Sequence, residues 1–487
     1  MPKQTTSRPL PRQSAHADDL GLASLLEGWS DRGRGSLANR LASALRAAVQ
    51  AGLLAEGTRL PSERALAGSL AVSRATVTSA LDELRADGTL VSRQGSGTVV
   101  AGEEAAGPFL GSARVAGHFT GSGPGIDLAT GNPPDASHLP PLQLDVTDLI
   151  TDGEGPGTQP LGLPALRAAL AARHTAQGLV TFPEQIHVTA GAHQATSITL
   201  RTCAGRGSCI AVEETSYPGI YDVIDGMGAI AVPVARDSAG IRPESLDEAF
   251  AKHGATAVYL QSGPHNPTGR LTPASRVRAL AEVLDAHKAQ VVDDIALDEL
   301  AFDRRPRPRL AAICRQANVF TVCSVSKVTW GGLRIGWIRA SEPMIERTLH
   351  VRLGFDLGAS VPAQLIVLRL LAELDPLAEQ RRATLASLVD RAIEQFAVEL
   401  PEFTIDPPEG GSVLWVRTPA TDTSAFCQLA ARHGVKIAPG SVARADRAVD
   451  PHVRVCVDRP WPLVEEGIRR LAVAWADLNA GTDPVLG

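Results

Sequence analysis

The 487-residue chain has no stretch of about 18 uncharged apolar residues, so it offers no candidate membrane-spanning helix. Its first 20 residues, MPKQTTSRPLPRQSAHADDL, are polar and proline-rich and lack an apolar core, which excludes a secretory signal there. The six cysteines stand apart at 203, 209, 314, 323, 427 and 456, and none forms a C-x-x-C pair. A zinc or redox motif is therefore not expected, and the thiols read as reduced ones in a cytoplasm. No internal repeat is visible. The chain also lacks a strong positive charge: its formal net charge is -6, unlike a protein that coats nucleic acid.

That charge is unevenly placed. Residues 31–100 hold nine arginines against six acids, a balance of +3, which leaves -9 for the remainder. A small basic module joined to a larger acidic one fits a DNA-binding head on a ligand-binding body. Residues 1–30 read as a disordered tail, 31–100 as the head, 101–124 as a flexible Gly/Ala/Ser-rich linker and 125–487 as the body. The GSGPG of the linker has no strand before it and no helical pattern after it, and is not read as a phosphate loop.

Within the head, Leu37, Leu41, Leu45, Ala48 and Val49 recur at helical spacing. Ser62 and Ser73 are N-cap candidates for two further helices, over 63–70 and from 74 to about 86. Strand, turn and strand follow over 90–93, 94–97 and 98–100. Two short helices, a tight turn and a β-hairpin make a winged helix-turn-helix, whose second helix enters the major groove by its N-terminal residues. Those residues are Ser73, Arg74, Ala75, Thr76 and Thr78, and the hairpin tip carries Arg93.

In the body, short β-type runs alternate with longer Ala/Leu-rich stretches. Examples are 185–189, 209–212, 229–234, 257–261, 290–293 and 319–324. This alternation predicts an α/β domain with a mostly parallel sheet. Its polar residues are those that pyridoxal phosphate chemistry requires. Lys327 in SVSK is the candidate Schiff-base lysine. Gly191, Ala192 and His193 open a helix whose amides suit a phosphate. Ser324, Ser326 and Arg334 complete an anion clamp. Tyr217 suits stacking on a ring, and Asn266 suits donation to the ring's 3-oxygen. Asp293 and Asp294 both end a strand; either is a candidate partner for the pyridine nitrogen, and Asp294 is the better placed. No metal site is expected.

Two resemblances sharpen this reading. Residues 57–100, GTRLPSERALAGSLAVSRATVTSALDELRADGTLVSRQGSGTVV, resemble the GntR-type winged helix. That likeness implies DNA contacts by Arg59, Ser62, Arg64, Arg74, Thr76 and the wing residues Gly95, Ser96 and Gly97, beside Ser73, Thr78 and Arg93. From about residue 126 onward, GLPALRAALA, TAGAHQA, HNPTG, SVSK, GLRIGW, GGSVLW and HVRVCV resemble fold-type I aminotransferases. This second likeness implies a large mostly parallel sheet with a small C-terminal subdomain. It also implies pyridoxal 5'-phosphate held by Lys327 as an internal aldimine, and Arg454 as the group that grips a substrate carboxylate. The match of VVDDIALDEL to the family's strand favours Asp294 over Asp293.

The combination resembles MocR-type regulators of the GntR superfamily. It implies a multidomain, homodimeric, cytoplasmic transcription regulator that binds an operator in double-stranded DNA. The effector implied is an amine, an amino acid or pyridoxal phosphate itself. The alternative is an active aminotransferase that carries a DNA-binding domain. Two departures from the family bear on that choice. Ala296 and Leu297 stand where most members carry a tyrosine for the 3-oxygen, and Gly157 stands near the place of a tyrosine that reaches the partner's phosphate.

Overall fold

The computed structural model describes residues 157–480 throughout. It also describes 19–100 outside positions 27, 32–35, 52, 56, 87–88 and 94–96, residues 125–142, and residues 114 and 147. The chain divides into two compact units. One comprises residues 1–123, 424–432 and 476–487; the other comprises 124–423 and 433–475. The helix Ser424–Arg432 thus groups with the head unit, although its sequence lies within the expected body. The expected linker lies outside the described residues apart from Arg114.

Among the described residues of 19–100, the head holds four helices and a hairpin. Helix α1 is Asp19–Leu25, α2 is Leu37–Gln50, α3 is Glu63–Ser69 and α4 is Arg74–Ala86. Strands β1 (Leu90–Arg93) and β2 (Gly97–Val100) pair antiparallel. Ser36, Ser62 and Ser73 each accept a hydrogen bond from a backbone N–H three residues on, at Asn39, Ala65 and Thr76. Their hydroxyls thereby satisfy donors that the first turn leaves open. A third strand segment is not evident from composition: Thr58 and Leu60 exchange backbone hydrogen bonds with Val100 and Thr98, closing a three-stranded wing.

The disordered tail expected over 1–30 is corrected over 19–30 by α1 and the turn Trp29–Asp31, while 1–18 lie outside the described residues. Leu22, Ala23, Leu26 and Trp29 are buried in one core with Leu41, Leu45, Leu66, Leu70, Val77, Leu81 and Leu84. A short apolar run flanked by polar sequence is legible as tail until a helix face receives it; burial then favours it over solvent. Trp29 is 1% exposed. Trp29→Ala is expected to destabilise the head by about 3–5 kcal/mol, seen as a lower thermal midpoint and faster amide exchange along α2.

The body carries a seven-stranded sheet. Its strands are β3 (Ile186–Thr189), β4 (Cys209–Glu213), β5 (Ile230–Val234), β6 (Ala255–Leu260), β7 (Gln290–Asp294), β8 (Asn318–Ser324) and β9 (Gly336–Arg339). The spatial order is β3-β9-β8-β7-β6-β4-β5. Strand β9 runs antiparallel to both its neighbours, and all other pairs are parallel. The expected mostly parallel sheet is therefore present. Its strands are near-continuous apolar runs because helices cover both faces, with separate buried clusters about Leu166, Trp337 and Leu385, about Ile198, Tyr221 and Phe320, and about Val258, Leu280 and Leu284. A smaller four-stranded antiparallel sheet contains β11 (Val413–Arg417) and β13 (His452–Cys456), with β10 (Thr404–Ile405) and β12 (Ala438–Pro439) at its edges. No described helix is long and apolar enough to cross a membrane.

Candidate cofactor and DNA-binding sites

The candidate cofactor residues converge at the C-terminal ends of the parallel strands, where open α/β sheets place ligands. Strand β3 ends at Thr189, and Gly191 then turns the chain into helix α5 (Ala192–Cys203). Gly191 has φ +90° and gives the helix no side-chain cap, so the first-turn N–H groups point outward from a positive helix end. A Cβ at Gly191 would lie 2.8 Å from Arg334 Nη2. The guanidinium thus sits against the turn, and its Nη2 donates to Ala190 O at 3.0 Å. Arg334 itself is held in the left-handed region at φ +52°. Ser324 and Ser326, both buried, lie 3.1 Å apart through their hydroxyls. Gln194 steadies the turn: its Oε1 accepts from Ala190 N–H at 2.7 Å and its Nε2 donates to Asp356 at 2.6 Å.

Helix N-terminus, two hydroxyls and a guanidinium are a donor set that would suit a phosphate dianion, and glycine at 191 leaves the turn open. A methyl group there is both conformationally strained and pressed on Arg334. Gly191→Ala is expected to weaken pyridoxal phosphate affinity by about 1–3 kcal/mol, read by spectroscopic titration.

Tyr217 precedes a helix whose second residue is Gly219; a Cβ at Gly219 would meet the Tyr217 ring at 2.6 Å. Only glycine lets the phenol ring lie in this place. The ring stands edge-on to His193, with centroids 6.2 Å apart. Burial pushes the Tyr217 hydroxyl up to about 12, so it stays protonated.

Asn266 is positioned by two neighbours. Its N–H donates to Gln261 Oε1 at 2.9 Å, and its Oδ1 accepts from Arg454 Nε at 3.2 Å. The side-chain amide nitrogen is left as the group available to a ring oxygen. Arg454 also donates to Ala129 O. It is buried, and that burial lowers its pKa.

The two aspartates face different surroundings. Asp293 accepts from Ser262 N–H at 3.2 Å and Ser262 Oγ at 2.9 Å, which ties it into the sheet's neighbouring loop. Asp294 accepts from Ala296 N–H at 3.0 Å and from the Tyr259 hydroxyl at 2.7 Å. Burial raises the Asp294 pKa, opposed by those two donors and by the Lys327 charge. Successive strand residues point to opposite faces, so the two carboxylates are not interchangeable.

Lys327 Nζ donates to Gly131 O and Asn132 Oδ1, each at 2.7 Å. Burial, and next the positive charge of Arg454, lower its pKa to about 8. A neutral amine is the nucleophilic form. The capture rate of pyridoxal phosphate is accordingly expected to rise with pH up to about 8 and then level off. Arg454→Leu removes a charge that disfavours the ammonium form, so the midpoint is expected to move to higher pH; stopped-flow absorbance across the pH range measures both.

Tyr259, Gln261, Arg459 and the segment 127–132 belong to the site although sequence reasoning missed them. Arg459 donates to Asp127 O, Thr130 O and Asn132 O, which folds that segment over Lys327. Backbone carbonyls carry no residue signature, so nothing in the sequence marks them.

In the head, Arg59, Arg64 and Arg74 are exposed, and none is ion-paired with a described residue. The hydroxyls are more committed. Ser73 and Thr76 bond each other at 2.8 Å, and Thr78 donates to Glu63 at 2.9 Å and to Arg74 O at 2.9 Å. Arg85 links Glu63 on α3 to Thr98 on β2. Gly95 and Ser96 lie outside the described residues, as do the side chain of Arg93 and the surroundings of Gly97.

Two known families match this chain. The model of aminotransferase class I and II matches residues 124–471, and that of the bacterial regulatory proteins of the gntR family matches 37–100. The chain belongs to the aminotransferase class I and II family. With its gntR head, it is a MocR-type regulator of the GntR superfamily, a DNA-binding transcription regulator. Membership makes pyridoxal 5'-phosphate the cofactor of the body, and the cradle, the buried amine and the paired carboxylate described above fit it.

The regulator is 30% identical over 332 residues to the HTH-type pyridoxine biosynthesis transcriptional regulator PdxR of Corynebacterium glutamicum, covering 66% of this chain and 71% of that one. It is 27% identical to the HTH-type transcriptional regulator TauR of Rhodobacter capsulatus, over 84% of this chain and 90% of the other. Among solved structures it resembles LysN, the alpha-aminoadipate aminotransferase of Thermus thermophilus. That match has a TM-score of 0.66 and 23% identity, and covers 76% of this chain and 96% of that one.

Proposed function

We infer that the regulator carries pyridoxal phosphate covalently on Lys327 and uses that site to sense an amino compound or the cofactor itself. The observation that carries this reading is the half-buried Lys327, whose Nζ is held at 2.7 Å by Gly131 O and Asn132 Oδ1 on the site side of the sheet; burial and the Arg454 charge lower its pKa to about 8. When bound, pyridoxal phosphate supplies an aldehyde for a primary amine and a ring that accepts electron density. The chain's own groups do the rest. Lys327 gives the attachment nitrogen; Gly191, Ala192, His193, Ser324, Ser326 and Arg334 hold the phosphate; Asp294 holds the ring-nitrogen proton. Asn266 donates to the 3-oxygen, and Tyr217 covers the ring. An amino acid effector would set its carboxylate on Arg454, whose fork geometry suits two oxygens.

The regulator works as a cytoplasmic homodimer, and its two heads read a double-stranded operator. An effector acts only if it binds two states unequally; an effector amine that competes with Lys327 for the cofactor would supply that difference. The test is operator affinity, measured by fluorescence anisotropy on fragments flanking the regulator's own gene, with pyridoxal phosphate and a panel of amino acids. Affinity that stays constant across the panel and the cofactor would sink the sensor reading.

A working aminotransferase is the second reading, favoured by the 26% identity to the 2-aminoadipate transaminase of Thermus thermophilus over 61% of this chain. Sustained turnover of an amino donor with a keto acid would establish it. Ala296 and Leu297, where a phenol would otherwise reach the 3-oxygen, weigh against it.

A further inference from the structure

The chain has three tyrosines, Tyr217, Tyr221 and Tyr259. Tyr217 borders the candidate cofactor site. Tyr221 is spent on two backbone carbonyls, Glu213 O and Ala443 O. Tyr259, on β6, is fully buried and donates its hydroxyl to Asp294 Oδ2 at 2.7 Å. Burial raises its pKa well above the usual phenol value, so it remains a donor.

We propose that Tyr259 is a positioning residue for the cofactor's ring: its hydroxyl fixes the Asp294 carboxylate and keeps it ionised for the ring nitrogen. This rests on the pyridoxal phosphate reading above. Two donors hold Asp294, from opposite directions along the chain. The Ala296 N–H takes Oδ1 and the phenol takes Oδ2. With both oxygens tied, the carboxylate has one orientation. Each oxygen retains a further lone pair for the ring N–H.

The phenol also matters for charge. Burial favours the neutral acid, and a neutral Asp294 cannot pair with a pyridinium. The titratable groups around it are Tyr217 and Tyr259, Lys327, the adjacent Asp293, and Cys323 on β8. Asp293 beside it is a like charge and works against ionisation. The Ala296 N–H and the Tyr259 phenol, with the Lys327 charge beyond them, favour the ionised Asp294.

The test uses the full-length protein reconstituted with pyridoxal phosphate, in wild type, Tyr259→Phe, Asp294→Ala and the double variant. Cofactor dissociation constants are measured across pH by absorbance, with circular dichroism melting as the check on folding. In the wild-type background, Tyr259→Phe is expected to weaken binding about tenfold, and the acid limb of the affinity profile moves to higher pH. In the Asp294→Ala background the same substitution changes affinity less than twofold. An equal loss in both backgrounds would show that the phenol acts by packing and overturn the proposal; so would an unmoved acid limb in Tyr259→Phe. A wild type that takes up no cofactor would overturn the pyridoxal phosphate reading along with it, whereas a coloured wild type matched by Tyr259→Phe overturns this proposal alone.

Discussion

Lys327→Ala is expected to abolish covalent retention of pyridoxal phosphate altogether. Wild-type protein should show a visible absorbance band that borohydride converts to a permanently attached chromophore surviving denaturation. The variant should show neither. The reason is geometric as well as chemical. Asn132, Gly131 and Arg454 enclose the Lys327 nitrogen, and burial lowers its pKa to about 8. The other two lysines within 80 residues, Lys252 and Lys288, lie outside these contacts, and Lys252 is paired with Glu248 at 2.9 Å in solvent. The phosphate cradle at Gly191 and Arg334 is untouched by the substitution, so weak noncovalent binding should persist, removable by gel filtration. A borohydride-stable chromophore in Lys327→Ala would show that another nitrogen carries the cofactor. If the effector acts through the same nitrogen, the variant also loses effector dependence while its unliganded DNA affinity stays within a few-fold of wild type.

Removing Arg59, Arg64 and Arg74 together is expected to weaken operator binding at least a hundredfold at physiological salt. Each is exposed and spends its charge on no described acid, so each is available to a phosphate or a guanine edge. An arginine at a base edge is worth about 1–3 kcal/mol, and a phosphate contact reduces the salt slope by about 1. The triple alanine variant should thus lose about 3 from the slope of log affinity against log salt if all three touch phosphates. A loss of affinity with an unchanged slope would place them on base edges. Affinity within threefold of wild type would contradict the placement of α4 against DNA. Thr78 serves as the control: its hydroxyl is bonded to Glu63, and Thr78→Val should lower head stability more than DNA affinity.

Helices α2, α3 and α4 of the head were legible because each starts at a serine whose short side chain caps it, and because α2 and α4 carry apolar residues at helical spacing. Six strands of the large sheet, β3 to β8, were legible as short apolar runs, each placed within about two residues of its observed bounds; β9 and the strands of the smaller sheet were not among those runs. The family motifs mapped a further set: the Gly191 turn, Lys327, Asn266, Asp294, Arg334 and Arg454 come together in one site. What failed did so for identifiable reasons. Residues 19–31 look like tail because an isolated seven-residue helix is unstable by itself; only the shared core with α2, α3 and α4 holds it. The third strand of the wing is a pairing between Thr58–Leu60 and β2, and pairing between segments forty residues apart leaves no local pattern.

Tyr259 shows the same division within the site. By sequence it is one apolar-strand aromatic among many, indistinguishable from a core residue. The parallel register of β6 on β7, with Tyr259 opposite Val292, brings its hydroxyl to Asp294 two residues further on. Similarly, Asp293 and Asp294 are adjacent in sequence and equal in chemistry; the pleat sends one to Ser262 and the other to the site. The sequence by itself determined the two-part organisation, the element types and the residue kinds that a pyridoxal phosphate site needs, because caps, periodicity and short motifs are local properties of the chain. Which carboxylate faces the site, which phenol supports it, and which carbonyls enclose the lysine were decided only by tertiary structure, because strand register and burial are set by contacts between residues far apart in sequence.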